Sequence, residues 1–226
     1  MKFKLKYGHV ILPTRISVGI SVAISVALIL ISSNVLAYEE LNYNWVRSEV
    51  YAGGEELVEY TTMSYDSKGK RVSEKVFSED GKVDGEVRYS YNSKGQIIKI
   101  EGTNKRGKLE ESTVVSYNSA GLKEKQEIFN GKGKLQEQEI FEYTSKGLLR
   151  GISILNAKGK KEEDFKVSSY DGKRPQQLDA REAGSSEIAI SLVYQYNSKG
   201  MLTTAGVFPA GQINGQPFVL IKYLYK

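Results

Sequence analysis

The phrase Tyr91-Asn-Ser-Lys-Gly95 decides the fold, because close copies of it return along the chain at intervals of 26 or 27 residues. The copies are Tyr65-Asp-Ser-Lys-Gly69, Tyr117-Asn-Ser-Ala-Gly121, Tyr143-Thr-Ser-Lys-Gly147, the shortened Tyr170-Asp-Gly172 and Tyr196-Asn-Ser-Lys-Gly200. A second glycine turn, such as Lys105-Arg-Gly-Lys108, falls halfway between neighbouring copies. A fixed period of this length predicts an array of similar supersecondary units.

The segments between the turns have the pattern of β-strands. Val83–Tyr91 places Val87, Tyr89 and Tyr91 on one side, and Leu109–Tyr117 does the same with Val115 and Tyr117. Alternation with period two, carried by β-branched and aromatic residues, is typical of strands. A glycine every 13 residues would interrupt any helix. Each repeat therefore predicts two strands and two tight turns.

Short turns force neighbouring strands to pair antiparallel, so the sequence predicts an all-β meander. About fourteen strand segments fit between Leu41 and Tyr225. Open sheets rarely exceed about ten strands without curling, which favours a strongly twisted or partly closed sheet. The middle strands are rich in Glu and Lys, as in Leu122–Asn130. A middle formed by one layer, solvated on both faces, is therefore the alternative.

The chain divides into a leader and one folded domain. Residues 1–37 combine a basic start, an apolar run from Ile16 to Ile31 and small residues before Ala37, which predicts a signal peptide cleaved after Ala37. An uncleaved anchor is the alternative, although the run is short for a membrane span. Residues 38–226 form a single β-repeat domain, with a cap at 38–62, regular repeats at 63–170 and less regular repeats and a cap at 171–226. The expected location is periplasmic or secreted, in a bacterium.

Charge and composition argue against several classes of function. The leader holds four of the 32 basic residues and none of the 27 acidic ones, so the domain carries 28 basic against 27 acidic residues. Nucleic-acid binding needs a basic surface that this balance does not provide. The chain has no cysteine, and its one histidine, His9, lies in the leader. We therefore expect no metal and no cofactor, and membrane contact only through an uncleaved leader.

Enzymatic activity is not expected. The Ser–Lys pairs, such as Ser93-Lys94, recur in every hairpin, which indicates turn chemistry rather than catalysis. The Glu residues alternate with Lys on strands, which indicates a solvated sheet face. If the protein were a hydrolase, Asp164, Asp171 and Asp179 in the irregular region would be the first acids to test.

The repeated tyrosines are the candidate binding residues. Every second turn of a meander lies at the same edge of the sheet, so the tyrosines should share one edge. They are Tyr65, Tyr91, Tyr117, Tyr143 and Tyr196. One interpretation is that the rings pack over the strand ends and stiffen the hairpins. The other is a row of aromatic platforms that stack sugars, since a tyrosine combines an apolar ring face with a polar hydroxyl.

The phrases Tyr89-Ser-Tyr91-Asn-Ser-Lys-Gly95-Gln-Ile97 and Tyr194-Gln-Tyr196-Asn-Ser-Lys-Gly200-Met-Leu202 resemble the YD (Rhs) repeat family over residues 63–202. The resemblance implies an exported bacterial β-repeat protein, with carbohydrate as a possible class of ligand. The chain departs from the family pattern in its Asn or Thr in place of Asp, in the missing Arg after Gly and in its longer period. It is also too short to enclose a toxin domain.

These observations favour an exported, non-enzymatic scaffold or binding surface of the bacterial envelope, with a glycan or envelope protein as partner. The alternative is an immunity or accessory interaction protein of a secreted toxin system. A monomer is expected, or a dimer that pairs through exposed edge strands.

Overall fold

The computed structural model describes residues 2–4, 9–11 and 44–225, which form sixteen β-strands. Two short strands, β1 (Lys2–Lys4) and β2 (His9–Ile11), pair antiparallel with each other. The other fourteen strands make one closed barrel. They are β3 (Trp45–Ala52), β4 (Glu56–Tyr65), β5 (Arg71–Ser78), β6 (Val83–Tyr91), β7 (Ile97–Asn104), β8 (Leu109–Tyr117), β9 (Lys123–Asn130), β10 (Leu135–Tyr143), β11 (Leu149–Asn156), β12 (Lys161–Asp171), β13 (Arg174–Glu182), β14 (Ile190–Tyr196), β15 (Leu202–Pro209) and β16 (Val219–Tyr225).

The sheet closes completely, because the last strand pairs with the first. Each strand from β3 to β16 is antiparallel to the next, and Ile221 of β16 lies opposite Val50 of β3. The predicted all-β meander of about fourteen strands is confirmed, whereas the expected strongly twisted or partly closed sheet is corrected to a fully closed barrel. Strand twist accumulates along a long meander, and closure removes both unpaired edges. An edge-paired dimer therefore has no edge strand available among residues 45–225.

The turns follow the mechanism that the sequence predicts. In the Asn92–Gly95 turn, the Asn92 side-chain oxygen accepts the backbone N–H groups of Lys94 and Gln96, both at 3.0 Å. Gly95 has a φ of 83°, the left-handed conformation that follows a type I turn. The next strand starts with a bulge, so that Tyr91 pairs with Ile97.

The turns at the other end of the barrel are built in the same way. Asn104, Asn130 and Asn156 each accept two backbone N–H groups from the following turn residues, at 3.0 to 3.2 Å. In the sequence, these turns were identified only by their glycines, as in Lys105-Arg-Gly-Lys108, and the asparagine that starts each turn was not recognised. Both ends of the barrel therefore use an asparagine and a glycine for the same two tasks.

The inner face of the barrel is buried along its whole circumference. The main apolar cluster comes from β3, β4 and β10–β16 and includes Ile152, Phe165 and Leu192, each fully buried. Val76, Val87 and Ile100 form a smaller cluster on β5–β7. The middle strands also bury polar side chains, since Gln126 and Glu139 are 0% exposed. The alternative of a middle solvated on both faces is therefore wrong.

The less regular C-terminal part has the longest connections of the barrel. β13 ends at Glu182 and β14 begins at Ile190, while β15 ends at Pro209 and β16 begins at Val219, so that residues 183–189 and 210–218 form loops. Pro175 lies within β13, opposite Tyr170. The first and last strands of the barrel pair with each other. The apolar run at 16–31 and the cleavage site after Ala37 lie outside the described residues.

Candidate functional site

Seven tyrosines encircle one end of the barrel, which we call the tyrosine rim. Every second strand from β4 to β16 carries one of them, at or next to its last residue and on the inner side of the barrel. They are Tyr65, Tyr91, Tyr117, Tyr143, Tyr170, Tyr196 and Tyr225. The structure brings the five sequence-predicted tyrosines to this rim and adds Tyr170 and Tyr225. Because the barrel is closed, the expected row of tyrosines is a ring.

Every hydroxyl of the tyrosine rim donates a hydrogen bond to a backbone carbonyl 20 to 23 residues earlier in the chain. The distances lie between 2.5 and 2.8 Å. The donor and acceptor pairs are Tyr65 to Trp45, Tyr91 to Arg71, Tyr117 to Ile97, Tyr143 to Lys123, Tyr170 to Leu149, Tyr196 to Pro175 and Tyr225 to Leu202. Each bond joins two adjacent strands at the ends where no turn connects them. The seven bonds therefore tie each rim turn to its neighbour.

The rings are half-buried, and burial raises the pKa of the Tyr65, Tyr91, Tyr117 and Tyr170 hydroxyls. Burial raises the pKa of Tyr117 to about 12, with the neighbouring Tyr91 as a smaller cause. Burial likewise raises the pKa of Tyr65 and of Tyr91. The hydroxyls therefore remain donors across the physiological range, and the rings keep one fixed orientation.

Cations lie over two of the rings. The Lys70 ammonium is 5.4 Å from the ring centroid of Tyr91, and the Arg174 guanidinium is 4.6 Å from that of Tyr196. Arg174 also donates to the Gly200 carbonyl at 2.6 Å and pairs with Asp171 at 2.7 Å. The rim therefore combines aromatic surface with positive charge, a combination that suits polar or anionic sugars.

A buried polar group lies beneath the rim. The Arg71 side chain is drawn electrostatically to Glu74 and to the tyrosines around it, and the Tyr89 hydroxyl donates to the Glu74 carboxylate. Burial, followed by the Glu74 charge, raises the pKa of Tyr89 well above its usual value. The sequence analysis missed Arg71 and Glu74. The detectable signal was positional, because Ile97, Leu149 and Leu202 occupy the equivalent position in three other repeats, and only Lys123 shares the positive charge of Arg71.

A second group that the sequence analysis missed is acidic. Glu59, Glu111, Glu137 and Glu163 occupy the same position of the repeat, with Gly85 in the remaining unit. They lie on the inner wall towards the rim opposite the tyrosines. Alternation with Lys suggested a solvated face for these residues, yet Glu163 is only 4% exposed. Burial, with smaller contributions from nearby carboxylates, raises the pKa of Glu59 and Glu137 to about 8 and that of Glu163 to about 7.

The three aspartates proposed for a hydrolase are engaged in local bonds. Asp164 accepts from Lys161 at 2.6 Å, and Asp171 pairs with Arg174. Asp179 accepts from Ser191 at 2.7 Å and from Gln177 at 2.8 Å. Within the described residues, no group of three or more acidic or histidine side chains is placed to hold a metal ion. No helix in that part of the chain is long and apolar enough to cross a membrane.

Comparison with known proteins gives a resemblance of fold only. No protein-family model matches the chain, and no curated protein matches it. A porin-like protein from Bacteroides uniformis is 14% identical, with 81% of this chain and 98% of that chain covered and a TM-score of 0.44. A porin-like protein from Bacteroides vulgatus is 10% identical, with 80% and 98% covered and a TM-score of 0.47.

A third match lies in the Photorhabdus luminescens Tc holotoxin pore, at 18% identity and a TM-score of 0.36. It covers 65% of this chain and only 7% of that chain. Likenesses at this level carry no information on activity or partners. The resemblance to YD repeats therefore stays a prediction.

Proposed function

We propose that the protein is an exported, non-enzymatic β-barrel that serves as a binding scaffold in the bacterial envelope, with the tyrosine rim as its glycan-binding end. One observation carries the proposal: seven half-exposed rings, each held by a hydroxyl bond, surround a single mouth. The leader-like sequence at residues 1–37 and the likeness to YD repeats support export and a sugar ligand.

The fixed rings favour binding for an entropic reason. A flexible side chain loses conformational freedom when a ligand orders it, at a cost of about 0.5–1.5 kcal/mol for each side chain. The bond from Tyr91 to the Arg71 carbonyl and the bond from Tyr117 to the Ile97 carbonyl order these rings before any ligand arrives. An apolar ring face then remains for stacking on a sugar.

The outer wall of the barrel supports a water-facing protein. Ion pairs lie along it, between Arg88 and Glu86 at 3.0 Å, between Lys99 and Glu101 at 2.6 Å and between Lys125 and Glu127 at 3.0 Å. A lipid-facing barrel carries an apolar band on its outer side, and charges there are costly. These ion pairs support the proposal that the barrel lies in the aqueous part of the envelope, with any membrane contact made by an uncleaved leader.

The test is a glycan array with the exported protein and three matched variants. The double variant Tyr91→Ala with Tyr117→Ala removes two rings from the rim, and it should no longer bind the glycans that the wild-type protein binds on the array. Tyr91→Phe with Tyr117→Phe keeps the rings and should retain binding. Tyr60→Ala is the control, because Tyr60 stacks on Phe77, away from the tyrosine rim, with ring centroids 4.8 Å apart. A wild-type protein that binds no glycan, or binding unchanged in the double alanine variant, would remove the proposal.

A further inference from the structure

Five acids of the inner wall lie on β8, β10, β12 and β13, and we call this group the acidic mouth. It consists of Glu111, Glu137, Glu139, Glu163 and Glu182. Cross-strand pairing places Glu163 opposite Glu182 on one side and opposite Ile154 on the other. Glu139 lies opposite Ile154 from the neighbouring strand β10. Ile154 therefore lies between Glu139 and Glu163, and Glu182 lies beside Glu163.

Two of these carboxyl groups each have one buried oxygen without a hydrogen-bond partner among the described residues. In the part of the chain that the structure describes, Glu137 Oε1 and Glu163 Oε2 are buried and accept no hydrogen bond. Glu163 is 96% buried by area, and its nearest charges are those of Glu162 and Glu182. A buried carboxylate without a partner costs several kcal/mol, and such a group in a native protein calls for an explanation.

Positive charge near the acidic mouth is sparse. The buried Lys123 donates to Gln126 at 2.9 Å, and its charge acts on Glu139. Gln126 donates in turn to Glu139 at 2.5 Å. The lysines of the adjacent turns, Lys132, Lys134, Lys158 and Lys160, are exposed, so solvent screens their charge. Glu137 is instead surrounded by the charges of Glu139, Glu163, Glu111 and Glu162.

The spacing of the acids indicates the chemistry of the ligand. Glu111, Glu137 and Glu163 lie on alternate strands, and alternate strands are roughly 10 Å apart. One divalent ion needs several oxygens within about 2.6 Å, so a single metal ion does not fit this spacing. A chain of ammonium groups joined by methylene segments does fit, because its charges are spread and its linkers are aliphatic.

We propose that the acidic mouth binds a linear aliphatic polyamine, whose ammonium groups pair with Glu137 and Glu163. The ammonium donors supply hydrogen bonds to the two buried oxygens that lack them within the described part of the chain, Glu137 Oε1 and Glu163 Oε2. Glu137 is partly exposed and gives the ligand a route from solvent. This site lies at the end of the barrel away from the tyrosine rim, so the two proposals succeed or fail independently.

The test is calorimetric titration of the exported protein with spermidine in about 0.1 M salt. We expect saturable binding that weakens at least tenfold in Glu137→Gln and in Glu163→Gln. Glu101→Gln is the matched control, because this residue pairs with Lys99 on the outer wall, and binding should be unchanged. Bound ammonium groups displace protons from the carboxyls, so affinity should rise from pH 6 to pH 8.5.

Three outcomes would overturn the proposal. They are no spermidine binding by the wild type, equal affinity in the two inner variants and the control, or calcium chloride binding at the same site more tightly than spermidine. Glutamine keeps the size of the side chain, and circular dichroism checks that each variant is folded. If one inner variant fails to fold, the other decides the question.

Discussion

The Tyr117 hydroxyl donates to the Ile97 carbonyl at 2.8 Å, and Ile97 is itself the residue that pairs with Tyr91 across the preceding turn. Each tyrosine of the rim thus contacts the strand start that the previous tyrosine has positioned. The relationship repeats with Tyr143 and Lys123, where Lys123 pairs with Tyr117. The hydrogen bonds of the tyrosine rim are therefore linked from one repeat to the next. Because the barrel is closed, tyrosines that are about 26 residues apart in the sequence form a ring.

Removing one hydroxyl of the ring should have a small, measurable effect on stability. Tyr117→Phe keeps the aromatic ring and leaves the Ile97 carbonyl without its donor, so the free energy of unfolding should fall by about 1 kcal/mol. Thermal unfolding should show a decrease of about 2–4 °C for a domain of this size. Tyr60→Phe, away from the rim, is the control. If Tyr117→Phe and Tyr60→Phe lowered the free energy of unfolding equally, the hydrogen bonds of the rim would contribute no more to stability than a tyrosine hydroxyl elsewhere.

Stability should decrease as pH rises from 5 to 8.5. The folded-state pKa of Glu59 and Glu137 is about 8 and that of Glu163 about 7, whereas an unfolded glutamate titrates near its usual pKa of 4.5. A raised folded-state pKa means that the folded protein binds more protons, so its stability is full at low pH and is lost through this window. Urea unfolding should show a loss on the order of several kcal/mol. Constant or rising stability would contradict the burial of these carboxyls.

Neutralising one buried acid should stabilise the protein in alkaline solution. Glu163→Gln removes a group that must ionise inside the barrel at pH 8.5, so the free energy of unfolding should rise by about 1 kcal/mol or more. The gain should be smaller at pH 5, where the wild-type carboxyl is already protonated. Glu101→Gln, on the outer wall, should change the stability little at either pH. A loss of stability in Glu163→Gln at pH 8.5 would be the contrary result.

The buried Arg71 and Glu74 should be coupled. Arg71→Leu leaves the Glu74 carboxylate buried without its countercharge, which should cost about 3–5 kcal/mol. The double variant Arg71→Leu with Glu74→Leu should recover most of this loss, because the equivalent residues of another repeat are Leu149 and Ile152, both buried. Denaturant unfolding of the two single variants and the double variant measures the coupling. Additive losses would show that the two side chains act separately.

The sequence predicts those features of the fold that depend on local spacing. The copies of Tyr91-Asn-Ser-Lys-Gly95 predict the strands, the tight turns and the common edge of the tyrosines, since each follows from neighbouring residues. Closure depends on the pairing of Val50 with Ile221, which are far apart in the chain, and on twist summed over fourteen strands. No single segment carries that information.

The polar interior was not predictable for a related reason. Gln126 lies between Lys125 and Glu127, and Glu139 lies between Gln138 and Ile140, so the pattern gives polar residues on both faces and no sign of which face is buried. The structure turns Glu139 and Gln126 inward, where they bond to each other. The hydroxyl bonds of the tyrosine rim likewise depend on the bulge that starts each following strand. Comparison of equivalent positions across the repeats would have revealed the acids at 59, 111, 137 and 163.

The central claim is the closed barrel, and hydrogen exchange of the backbone amides in β3 and β16 tests it most directly. If Val50 and Ile221 lie in paired strands, the amides of Trp45–Ala52 and Val219–Tyr225 should exchange as slowly as those of the central strand β8 (Leu109–Tyr117). Rapid exchange confined to these two terminal segments would show two free sheet edges and would contradict the barrel.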